Sequence, residues 1–152
     1  MSAEENLKKL AIELPAPPRP VANYVTWVRT GNLLFTSGHI PAAAEGLKTT
    51  GKVGRDLTVE EGYAAARHTT LALLATVRSA LGSLDLVERV VKVVGLVNSP
   101  PEFTEHPKVI NGASDLLAAV FGETGRSARS ALGAASLPAG VAVEIEAVFQ
   151  VK

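Results

Sequence analysis

No cysteine occurs among the 152 residues of this chain. That excludes a disulfide framework, a thiolate nucleophile and a cysteine-ligated zinc site. Aromatic residues make up 5% of the chain, with one tryptophan and two tyrosines, so a surface that stacks nucleic-acid bases has little to draw on. Neither sign of charge dominates, because fifteen Lys and Arg offset fifteen Asp and Glu. Tight non-specific binding to nucleic acid or to an anionic membrane needs a basic surface, which this balance withholds. No apolar run approaches the ~20 residues of a membrane span. The N-terminal stretch MSAEENLKKLAIELP is charged and amphipathic, unlike a signal peptide, and a cytoplasmic location is the resulting expectation. Lys48 and Lys52 lack phosphate-loop spacing, and no HExxH or paired-histidine spacing offers a metal site. The expectation is chemistry without a metal or cofactor.

What is present is an ordered set of apolar patterns. At 47% hydrophobic content, a chain of this length builds one core that buries about two thirds of its unfolded surface. Leu7, Leu10, Ala11 and Leu14 recur at helical spacing over residues 2–14, and the stiff segment PAPPRP follows at 15–20. We therefore divide the chain into a helix with a Pro-rich connector, 1–20, and a single domain, 21–152. Residues 24–30 and 33–37 read as strands joined at Gly31-Asn32. Thr58-Val59-Glu60-Glu61 is a capping box that opens a long helix, and Gly82 is its natural end. VERVVKVVGLVN at 87–98 is β-branched and nearly all apolar, which predicts a central strand covered on both faces. A second helix is expected over 108–121, with Pro107 near its first turn and Val109, Leu116, Leu117 and Val120 inward. Two strands close the series, at 127–133 and 143–150. The order gives an α+β sandwich, one mixed sheet with the two main helices on one face. Apolar residues alternate onto both faces of the last strand, so the uncovered face is expected to meet another copy of the chain in a homo-oligomer.

Charge is set into the last two strands. Val143, Ile145, Ala147 and Phe149 point one way and Glu144, Glu146, Val148 and Gln150 the other, while Arg129 sits in the preceding run. If these strands are neighbours, Arg129 and Glu144 could meet on one face. Two readings stand at this point. The pair is a solvated cross-strand contact worth about 0.2–1 kcal/mol, or it is an ion pair whose desolvation cost calls for a functional reason. His68, alone on a helix, is given no role.

Several stretches, in order, resemble the Rid (YjgF-like) family of reactive-imine deaminases, also known as the endoribonuclease L-PSP family. They are Asn23-Tyr24, LLFTSGHIP at 33–41, EFTEHPKVINGASDLL at 102–117, and ARSALGAASLPAGVAVEIEAV at 128–148. The most specific is Arg129, followed nine residues later by Pro138 and fifteen later by Glu144. The resemblance spans residues 21–151, and the long 42–57 loop and N-terminal extension mark a side branch. It implies a chorismate-mutase-like fold and a homotrimer with sites in the clefts between subunits. It implies that Arg129 holds the carboxylate of a 2-imino or enamino acid such as 2-aminoacrylate, and that Glu144 positions or activates water. Gly38 corresponds to a glycine whose backbone lies against substrate. Tyr24 and Ser37 match pocket-lining positions, and Asn111 matches more loosely. Two positions depart from the family pattern: Ala131 stands where a cysteine is common, and His39 where glutamine is usual.

Three functions follow for comparison. The leading one is hydrolysis of 2-imino or enamino acids to 2-oxo acids and ammonia, for which positioning and electrostatics suffice. The second is a non-catalytic protein that binds a small carboxylate metabolite in the same cleft. The third, endoribonuclease activity, sits poorly with a charge-balanced, aromatic-poor chain whose His39, His68 and His106 share no motif.

Overall fold

The computed structural model describes residues 1–152. Five strands form one sheet: β1 (Trp27–Thr30), β2 (Leu33–Thr36), β3 (Val87–Asn98), β4 (Ala128–Ala134) and β5 (Val143–Val151), in the spatial order β1-β2-β5-β3-β4. All pairs are antiparallel except β3 with β4. Between those parallel strands runs α3 (His106–Phe121), the crossover a parallel pair requires. With α2 (Val59–Leu81), α3 covers one face of the sheet, and the other carries no helix. This is the expected mixed α+β sandwich. No helix is long and apolar enough to cross a membrane.

The main helices begin and end where local chemistry dictates. Thr58 accepts from the Glu61 amide while the Glu61 side chain accepts from the Thr58 amide, and Gly82 ends α2 at φ 85°. The buried stripe of α2 is wider than its apolar periodicity suggests. Gly62, Ala65, Thr69 and Thr76 are also buried, because α2 packs on both the sheet and α3. The Thr69 and Thr70 hydroxyls donate to the carbonyls of Ala65 and Ala66, so they enter the core satisfied.

Three expectations need correction. Helix α1 spans only Ala3–Lys9, because the backbone turns left-handed at Ala11, φ 53°; Ile12 and Leu14 then pack against the core from irregular chain. Strand β1 starts at Trp27, and residues 21–24 are bends. Strand β3 is interior, but only one of its faces is covered. Val90, Val93 and Val97 are fully buried beneath the helices, whereas Lys92, Val94 and Leu96 are half-buried on the open face. The continuous apolar run serves two environments.

Helix α1 is fastened to the body by charge and by packing. The Glu4 carboxylate accepts from the Arg78 guanidinium and from the Leu84 amide, and Asn6 donates to the Val120 carbonyl. Ala3 and Leu7 join the core. Leu7 is 1% exposed, so Leu7→Ala is expected to cost about 2–5 kcal/mol in urea unfolding, against less than about 1 kcal/mol for an exposed Leu10→Ala.

Candidate active site

Arg129 and Glu144 do not face each other within one chain. Strand β3 separates their strands, pairing Val93 with Arg129 and Leu96 with Glu144. An offset of three residues along β3, with no bulge in that stretch, reverses the face. The two backbones are roughly 14 Å apart by strand spacing and rise. Arg129 lies on the helix side at the sheet edge, and Glu144 lies on the open side. The conditional ion pair of the sequence reading therefore does not form.

On the helix side, Arg129 reaches α3. Its Nη1 donates to Asn111 Oδ1 at 2.9 Å and to Ser114 Oγ at 3.1 Å. Asn111 and Ser114 stand three residues apart on one helix face. Neither Nε nor Nη2 donates within the chain, and no carboxylate lies within ion-pair distance of the guanidinium. The nearby Asp115 is occupied by the Tyr63 hydroxyl at 2.8 Å. A cleft of about 310 Å³ opens here. Two neutral acceptors thus fix one prong of a planar cation and leave its other donors free, the geometry that receives a carboxylate bidentately. Ser114 was missed in the sequence; its signal is the Asn-x-x-Ser spacing on the predicted helix.

On the open side, Glu144 is half-buried and accepts no hydrogen bond within the chain. Burial, and then the charge of Glu146 two residues on, raise its proton affinity above that of an ordinary carboxylate. Its carboxylate lies against the backbone of Gly38, where a Cβ would overlap Oε1. Any larger residue at 38 would displace it. Gly38, Val94 and Leu96 line a small cleft of about 150 Å³ with Glu144 and Glu146. Ser37, just before, is committed to structure: its hydroxyl donates to the Val25 carbonyl at 2.5 Å and its amide to Thr26. Tyr24 precedes this tie and is 44% exposed.

The chain matches the family model "YjgF/chorismate mutase-like, putative endoribonuclease" over residues 4–145. The protein belongs to the YjgF-like family. Among YjgF-like relatives, Protein TCP17 of Trypanosoma cruzi is 50% identical over 146 residues, 95% of this chain and 91% of that protein. The crystal structure of Atu1372 from Agrobacterium tumefaciens, of unknown function, is 45% identical over 99% of this chain and 92% of that one, with a TM-score of 0.89. A Shewanella oneidensis protein described as a "putative endoribonuclease" is 33% identical over 99% and 100% of the two chains, at 0.93. Escherichia coli TdcF, crystallised with bound serine, is 25% identical over 90% and 93%, at 0.59. The N-terminal helix and its packing thus lie within a fold shared almost end to end by the first two structures.

His39, one of the two departures noted in the sequence, is structural here. It is 4% exposed, with Nδ1 donating to the Ser37 carbonyl and Nε2 accepting from the Thr76 hydroxyl of α2, each at 2.8 Å. Both partners suit the neutral ring. Burial lowers its proton affinity, with the Ser37 bond opposing. The unfolded chain therefore binds the proton more readily, and folded stability falls as pH drops below about 6.5. Chemical unfolding across pH should show that decline, and His39→Gln should flatten it.

Proposed function

We propose that the protein hydrolyses 2-imino and enamino acids to 2-oxo acids and ammonia, at a site shared between two copies of the chain. The observation that carries this reading is the Arg129 guanidinium, anchored by Asn111 and Ser114, with free donors and no carboxylate of its own. A cation left uncompensated in a polar cleft suits an anionic ligand. The bound serine of TdcF, an amino acid carrying a carboxylate, is consistent with that chemistry in a related structure.

Glu144 supplies the complementary half. In a homo-oligomer built on the open sheet face, a trimer on the family pattern, one copy's Glu144 would face a ligand held by another copy's Arg129. Val28 and Leu132, 53% and 52% exposed, and Phe35, 41% exposed, give that face apolar area to bury. Gly38 lies against Glu144, and Ser37 and Tyr24 are assigned to the lining of the same shared pocket. The raised proton affinity of Glu144 makes it a stronger base than a free carboxylate. It takes a proton from water as the oxygen adds to the imine carbon. Return of that proton to nitrogen gives the carbinolamine; its hydroxyl proton then passes to nitrogen as the C–N bond breaks, releasing ammonia and leaving the carbonyl of the 2-oxo acid. An enamino acid first gains a proton on carbon and loses one from nitrogen to become the imine.

A coupled assay tests this reading. An amino-acid dehydratase or oxidase generates the imine, and semicarbazide traps what escapes. Wild type should outcompete the trap. Arg129→Ala should lose about a hundredfold or more in kcat/KM, and Glu144→Gln about 10²–10⁴ in kcat with little change in KM. Mixing the two inactive variants under subunit exchange should restore turnover, since some sites then combine both intact residues. Carboxylate binding without turnover on any imine would replace the deaminase with a metabolite-binding protein. RNA cleavage lost in either variant would favour the endoribonuclease.

A further inference from the structure

A cavity of about 470 Å³ shares no lining residue with either cleft described above. It lies where the N-terminus of α3, the C-terminal ends of β3 and β4, and the 51–57 loop converge. From the geometry of this cavity, we infer a second ligand site, one that takes a phosphate monoester carrying a flat apolar or ring-bearing body.

Its polar end is cationic. Lys52 Nζ donates to Asn98 Oδ1 at 2.8 Å and to the Ala135 carbonyl, both neutral, and forms no ion pair, which leaves one N–H unused; the neighbouring Asp56 carboxylate is engaged by Arg55 and by the Lys52 amide. His106, the first residue of α3, places Nε2 3.3 Å from Ser99 Oγ and leaves Nδ1 without a partner. Glu105, the N-cap of α3, makes no side-chain cap; Pro107 has no N–H and the Lys108 and Val109 amides donate to the Glu105 carbonyl, which leaves the His106 amide as the free one of the first turn. The one arginine at the rim, Arg55, has Nε and Nη2 spent on Asp56. The side-on fork of Arg55 is therefore already taken by a carboxylate of the chain itself. The free donors are separate point donors, suited to a tetrahedral phosphate.

The rest of the wall is apolar. Pro100, Pro101 and Phe103 line it, and Phe103 meets the His106 ring edge-on at a centroid distance of 5.1 Å. Volume and lining fall in the range of small-molecule sites. Gly133 sets the imidazole in place: a Cβ there would come within 2.6 Å of His106 Nε2 and 3.1 Å of Ser99 Oγ. Glycine weakens a strand interior, yet here it lets the edge strand lie directly against the ring.

Isothermal titration of phenyl phosphate, inorganic phosphate and benzoate into the full chain tests the assignment. Phenyl phosphate is expected to saturate one site per chain, with inorganic phosphate and benzoate each about tenfold weaker or more. Lys52→Met and Gly133→Ala should each weaken phenyl phosphate by about tenfold, with thermal melts confirming that both variants fold. Arg129→Ala should leave this binding unchanged. Absence of saturation below about 10 mM, benzoate as tight as phenyl phosphate, or loss of binding in Arg129→Ala would each overturn the proposal. None of these results bears on imine hydrolysis, which the coupled assay reads independently.

Discussion

Strand β3 stands between β4 and β5, and the two-residue alternation of its side chains governs what the rest of the molecule can do. Past the irregularity between Val90 and Lys92, residues 93 and 97 face the helices and are dry, while 92, 94 and 96 face outward. Every residue paired with β3 inherits one of those faces. Arg129 is drawn toward α3 and Glu144 is held away from it. The same constraint accounts for the neutral partners of Arg129, since the nearest strand-borne carboxylates lie on the far side of the sheet. It also leaves Glu144 half-buried without a donor, and so raises its affinity for a proton.

The sheet thereby separates a cation from a base that would otherwise neutralise each other. An Arg–Glu pair formed within one chain would occupy both groups and leave little for a ligand. Kept apart, each retains its binding capacity. The apolar open face and the polar edge cleft are two consequences of one topology, and the proposed shared site uses both. The cavity around Lys52 and His106 follows a different logic: its charge comes from a loop lysine satisfied by amide and carbonyl oxygens, and its shape from a glycine on the edge strand.

Much of the architecture was legible because it rests on local chemistry. The Thr58–Glu61 box, the left-handed Gly82 and the β-branched run at 87–98 act within a few residues of themselves. The strict alternation of 143–150 separated buried from outward residues correctly. Strand order was not legible. Whether β4 pairs with β5 or with β3 depends on the crossover through α3, and Arg129 carries no local sign of which neighbour it will have. The extent of α1 was overread for a similar reason: Leu14 continues the helical spacing, but it packs against the core after the helix has ended. Ser114 was overlooked because it acquires a role only from a residue distant in sequence, Arg129.

The position of β5 has a consequence for how the chain is made. It is the last strand in sequence and the middle one in space. Until residues 143–151 have left the ribosome, the β1–β2 hairpin and β3 have no strand to bridge them. Helices α2 and α3 must then wait over an unfinished surface. Nearly every sheet contact spans long sequence separations, which slows folding and prolongs the exposure of unpaired strand edges. The sheet can therefore close only once β5 is available to slot between strands already synthesised.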